Sequence, residues 1–153
     1  MAFSVRLGAS PVRRWAAAAA TVAVLAGCGG RAEPAAPVAW TEPAAYTYVL
    51  ESSCGERALI GRFRITVEKG AVAGAVGLDE PGRQMVETGR SEPIPSVGML
   101  IDQLNDARVA GAHEADLETG ADGVPTRITI DPEKNAVDDE SCYAISDLTP
   151  KAG

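Results

Sequence analysis

Aromatic side chains make up only 5% of this 153-residue chain, and it has a single histidine, His113. Ligand clefts are walled mostly by aromatic and large apolar side chains, so there is little material here for one. With one imidazole, most serine- and cysteine-nucleophile triads and histidine-rich metal sites are out of reach. No Gly-x-Ser-x-Gly elbow, phosphate-binding glycine loop, Cys-x-x-Cys pair or His-Glu-x-x-His occurs. Positive charge is also short, with 14 Lys and Arg against 21 Asp and Glu for a formal charge of −7. That balance offers no basic footprint for DNA or RNA. The length is that of one ordinary domain, which excludes a multi-domain enzyme.

What is present begins with an address. Residues 1–27 carry Arg6, Arg13 and Arg14 and no acid, and the run from Trp15 to Gly27 is apolar or small apart from Thr21. This is the charge and hydropathy order of a signal peptide. The run is too short for a permanent span, which needs roughly 20 apolar residues. It ends in Leu25-Ala26-Gly27-Cys28, which resembles a bacterial lipobox. The resemblance implies cleavage after Gly27 and a Cys28 that carries diacylglycerol and palmitate-like acyl chains. A plain secretory signal with a chance cysteine is the alternative. Arg13-Arg14 lacks the residues that should follow in twin-arginine export, which favours the general secretory route.

Cleavage would remove three positive charges and no negative one, taking −7 to −10. Lipid on Cys28, and not charge, would then supply affinity for the cell membrane on its extracytoplasmic side. Residues 28–45, with Gly29-Gly30, Pro34, Pro37, Pro43 and several alanines, read as a flexible tether. With Cys28 lipidated, Cys54 and Cys142 are left as a pair in an oxidising compartment, and a disulfide is expected. Two buried free thiols, or an exposed Cys54 nucleophile with His113 as its imidazole, are the alternatives.

Residues 46–149 read as a single folded domain, followed by a tail at 150–153. Tyr46, Tyr48 and Leu50 mark a first strand. Phe63, Ile65 and Val67 alternate with Arg62, Arg64, Thr66 and Glu68, Lys69-Gly70 supplies a turn, and Val72, Gly74, Val76 and Leu78 alternate again, which predicts a hairpin over 62–78. Residues 79–95, with Pro81, Gly82, Gly89, Pro93 and Pro95, read as an exposed loop. Ser96 is an N-cap candidate for one amphipathic helix through Val97, Leu100, Ile101, Leu104 and Ala107, ending near Gly111. Three more strands follow, at Ala115 and Leu117, at Ile128 and Ile130, and at either Cys142, Ala144 and Ser146 or Tyr143 and Ile145. The expected class is α+β, an antiparallel sheet of five to six strands with one helix packed on one face.

Tyr46-x-Tyr48 followed by Cys54, the turn Asp122-Gly123-Val124-Pro125 opening a strand that ends at Asp131, and Asp138-Asp139-Glu140 before Cys142 and Tyr143 resemble a family of small secreted or lipid-anchored bacterial proteins. It is known only as a domain of unknown function, catalogue number six-one-seven-four. Many relatives carry a second cysteine two places after the first, where this chain has Glu56. The resemblance implies location and fold, and no activity.

Three features are candidates for function. Asp131, Glu133, Asn135 and Asp139 fall on positions one, three, five and nine of a calcium loop, although Ala136 and Cys142 stand where a glycine and a bidentate glutamate belong. The bland alternative is a solvated acidic hairpin loop. The carboxylates of 131–140 could also act as a general acid and base pair, as in glycoside hydrolysis. Tyr46, Tyr48 and Tyr143 share a sheet face that could stack on a glycan or meet a protein, or they could be packing residues. The resulting expectation is a membrane-anchored extracytoplasmic lipoprotein acting as a non-catalytic binding or envelope-accessory module. It would work through an exposed sheet face or edge on an envelope protein, polymer or small ligand. The alternative is a calcium-dependent or carboxylate-based enzyme that uses the loop 131–140.

Overall fold

A computed structural model of the chain describes residues 36–57, 59–89 and 93–151. The expected signal peptide, Cys28, the first part of the tether and the last two residues of the tail lie outside the described residues. Six strands form one antiparallel sheet. They are β1 (Ala45–Ser53), β2 (Gly61–Glu68), β3 (Ala71–Gly77), β4 (Glu114–Thr119), β5 (Pro125–Asp131) and β6 (Ser141–Pro150). Their spatial order is β3-β2-β1-β6-β5-β4, so the first and last strands of the domain pair at the centre and β3 and β4 are the edges.

Two helices, α1 (Glu80–Thr88) and α2 (Val97–Ala110), cover one face. The alternation read in β2 is realised: Phe63, Ile65 and Val67 are buried under the helices. From β1, Tyr46, Tyr48 and Leu50 point to the same side, and α2 answers with Val97, Leu100, Ile101 and Leu104. Ser96 caps α2 with its hydroxyl, and Gly111 ends it at φ 77, where Ala112 N–H reaches back to the Ala107 carbonyl. This is the left-handed glycine stop of a Schellman motif.

The segment 79–95 is not the expected loop, because it contains α1. Asp79 is the N-cap, its carboxylate accepting from Gly82 N–H at 2.8 Å and from Arg62 N–H at 3.0 Å. Burial works to raise that carboxyl, and the N–H groups of Arg62 and Gly82 hold it below the usual range. Pro81 sits in the first turn, where no helical N–H is required, and Gly89 closes the helix at φ 56. The residues that argued for a loop are the start and stop signals of a short helix. Its Met85 joins the core.

Strand β3 also departs from expectation. A bulge opposite Thr66 and Val67 lies between Val72 and Gly74 and reverses the alternation. Val72 faces the core side, but Ala75 and Gly77 follow it there, opposite Ile65 and Phe63. Val76 is turned to the open face and is 63% exposed.

The tether, too, is bound over its described part. Asn105 of α2 accepts from Val38 N–H at 2.8 Å and donates to Val38 C=O at 3.0 Å, and Arg108 donates to Ala36 C=O at 2.9 Å. Val38 and Trp40 pack on the core. Residues 36–44 therefore form a strap running antiparallel along α2, because buried apolar contacts and paired backbone groups outweigh the freedom of a proline-rich linker.

Two glycines of β3 separate close packing from open edge. A Cβ on Gly77 would fall on the backbone of Gly82 and Arg83, whereas one on Gly74 would meet nothing within 4 Å. Gly77→Ala should cost about 2 kcal/mol or more through overpacking. Gly74→Ala should stay within about 0.5 kcal/mol of the parent. Urea unfolding of both variants checks the contrast.

Candidate functional site

The three tyrosines do not form a binding surface. Tyr46, Tyr48 and Tyr143 are 0%, 1% and 1% exposed, because their strand positions face α2. The hydroxyls of Tyr46 and Tyr48 serve the helix instead. The Tyr46 hydroxyl accepts from Val97 N–H at 2.9 Å and donates to the Glu42 carboxylate, which also accepts from Gly98 N–H at 3.0 Å. Ser96 Oγ accepts from Met99 N–H at 3.3 Å, and Tyr48 donates to Pro95 C=O. The first three N–H groups of α2 are thus met by the strap, by β1 and by the cap. A carboxylate at this end is also favoured by the helix dipole. Burial, with the hydrogen bond to Glu42, pushes the Tyr46 phenol well above its ordinary value near 10. Burial does the same for Tyr48, reinforced by the nearby Tyr46 and Glu42.

The second candidate is the hairpin between β5 and β6. Cys54 and Cys142 are disulfide-bonded, with Cα atoms 5.5 Å apart and a sequence separation of 88. The bond removes Cys54 as a nucleophile. It also clamps the turn after β1 onto the acidic loop. Glu56 N–H bonds the Asp138 carbonyl at 3.0 Å, and Gly55 lies so close to the Glu140 carbonyl that a Cβ there would clash. Arg57 donates to Ser141 Oγ and lies over the Tyr143 ring, 5.4 Å from its centroid. His113 is exposed beyond α2, its backbone N–H on the Pro132 carbonyl.

Within the loop, Asp131 and Asp139 are partly buried and Glu133 and Asn135 are exposed. One oxygen, Oδ1, of Asp131 and of Asp139 is buried without a hydrogen-bond partner among the described residues. No three His, Cys, Asp or Glu side chains among the described residues are grouped as metal ligands. Position twelve of the supposed calcium loop is a cysteine in a disulfide, and position six is Ala136, whose N–H closes a turn onto the Glu133 carbonyl at 2.9 Å. The residues do not fit calcium.

The third candidate is a feature of the sheet edges. On β4, Glu114, Asp116 and Glu118 are all exposed, the carboxylate guard that keeps an edge from pairing. On β3 the sequence Ala-Val-Ala-Gly-Ala-Val-Gly carries no charge and no proline. Leu78 N–H bonds the Arg62 carbonyl at 2.8 Å, so antiparallel alternation turns the N–H and C=O of Gly77 and Ala75 to the open side. Beside this edge, β3 and the end of α1 border an apolar groove of about 450 Å3 lined by Val72, Ala75, Met85, Val86 and Ile94. An open backbone ladder next to an apolar groove is what strand addition requires. Composition alone did not single this edge out; the uncharged run 71–77 was the available signal.

A family model described as a family of unknown function, DUF6174, matches residues 39–150. The chain belongs to this family. The match starts inside the strap, in keeping with a folded unit that includes it. No curated protein and no solved structure matches the chain.

The stability contributed by these two phenols should be constant below about pH 10 and fall above it. The unfolded chain releases its phenolic protons near that value, while folded Tyr46 and Tyr48 hold theirs. Alkaline melting followed by tyrosinate absorbance checks this, and Tyr46→Phe should weaken the dependence. Millimolar calcium should leave the melting temperature of the parent and of Asp131→Asn unchanged, as differential scanning calorimetry would show.

Proposed function

We propose that this member of the family is a lipid-anchored extracytoplasmic protein, held at the cell membrane through Cys28, whose folded unit is a non-catalytic binding module. The observation that carries the binding role is the uncharged β3 edge beside its apolar groove, set against a β4 edge lined with three carboxylates. The anchor is supported by Leu25-Ala26-Gly27-Cys28 behind an arginine-led apolar run. Two or three acyl chains hold a protein on a bilayer where one does not. A strap tied to α2 at Ala36 leaves eight residues back to Cys28, a reach of at most about 29 Å, which keeps the module close to the membrane.

The test combines fractionation with a photo-crosslinking side chain at Val76, or at Val109 as a control on α2 that is 83% exposed. The parent should sediment with membranes and Cys28→Ser should be released. Adducts should form from position 76 and not from 109. Equal sedimentation of Cys28→Ser would overturn the anchor, and equal labelling from both positions would overturn the edge.

A further inference from the structure

We infer that the partner of the β3 edge is a second copy of this chain, paired β3 to β3 about a two-fold axis through Val76. The inference rests on the edge-binding reading above and names the occupant. Only the residues with outward N–H and C=O groups can bond across an edge, and at this end of β3 these are Ala75 and Gly77. An antiparallel mate satisfies both when Ala75 stands opposite the second copy's Gly77 and Gly77 opposite its Ala75. That register forms four backbone hydrogen bonds, and Val76 then meets the second copy's Val76 on the axis.

The side chains on the open face fit the same register. Val76 and Leu78 are 63% and 36% exposed, and both point away from the helices. In the pair, Leu78 stands opposite the second copy's Gly74, whose Cβ position is empty space. The three cross-strand positions are therefore leucine on glycine, valine on valine and glycine on leucine. Large sits against small, and the exposed apolar side chains of the edge are covered. On the inner face the paired stretch of β3 itself carries only Ala75 and Gly77, with Met85 and Val86 of α1 beside it.

Charge selects this pairing over the alternatives. Two β4 edges would bring Glu114, Asp116 and Glu118 against their like, which is destabilising when directly opposite. A β3 edge on a β4 edge is heterologous and leads to rings or open chains, whereas a β3 pair is isologous and closes at two copies. A contact one strand wide lies at the small end of stable interfaces, and confinement of both copies to one membrane surface raises their effective concentration.

The experiment uses the full-length chain in its own membranes with Val76→Cys under mild oxidation, read on a non-reducing gel. Directly opposite Cβ atoms in an antiparallel pair are about 4.5 to 5.5 Å apart, within reach of a disulfide after small adjustment. A discrete dimer is expected from Val76→Cys and none from Val109→Cys. Adding Gly74→Glu, at a position where a Cβ meets nothing within 4 Å, should cut the dimer by about tenfold or more by setting a carboxylate against the second copy's Leu78. Retention of the parent's melting temperature by Gly74→Glu separates a lost interface from a lost fold. Absence of a dimer, a ladder of larger species, or equal dimer from position 109 would each overturn the inference. Absence of a dimer together with a photo-adduct of a different protein at position 76 would overturn the second copy and leave the edge reading standing.

Discussion

The amino end of α2 is the constraint on which this fold turns. A helix begins with N–H groups that its own carbonyls cannot reach, and burying them unpaired costs free energy. Here Val97, Gly98 and Met99 are bonded by Tyr46, Glu42 and Ser96. The three partners come from the central strand, from the strap and from the cap. One polar cluster therefore fixes where the helix lies on the sheet and where the chain enters the domain. It also explains why phenols with so much apolar surface around them are placed in the core, since each hydroxyl has a named partner.

Around that cluster the sheet is closed at one end and open at the other. The first and last strands pair in the middle, so neither of them is an edge. The disulfide joins the end of β1 to the start of β6 and ties the acidic loop down beside them. On the neighbouring β4 edge, Glu114, Asp116 and Glu118 guard against further pairing. Among the described residues the β3 edge has no such guard. Its glycines serve packing at one position, under α1 at Gly77, and leave free space at another, Gly74. The same short strand is thus a helix seat on one side and a bare ladder on the other.

The acidic loop shows how a spacing can match a ligand pattern without forming its site. Four oxygen-bearing residues fall on calcium-loop positions, yet the turn they describe is set by the Glu133 carbonyl and by a left-handed Asp138 at φ 66. A calcium loop needs its sharp bend at position six and a bidentate carboxylate at position twelve. The disulfide occupies the second of these, so the hairpin is fixed by covalent and backbone bonds instead of by a cation.

Much of the secondary structure was legible because it depends on near neighbours. Period-two alternation marked β2, three- and four-residue spacing marked α2, and Ser96 and Gly111 bounded it by chemistry that acts over one turn. Cysteine counting named the pair that is joined. The sequence by itself therefore determined the α+β class, the long helix, most of the strands and the bonded cysteines. The tertiary structure alone decided the rest, for stated reasons. Pro81 and Gly82 read as breakers until Asp79 has Arg62 N–H to share, which makes α1 possible. The β3 bulge depends on pairing with β2, which one strand's pattern does not contain. Tyrosines at alternate positions look the same whether they face water or a helix, and a proline-rich segment looks like a tether until Asn105 and Arg108 stand beside it. These outcomes hinge on contacts between residues tens of positions apart, and local periodicity carries no record of such contacts.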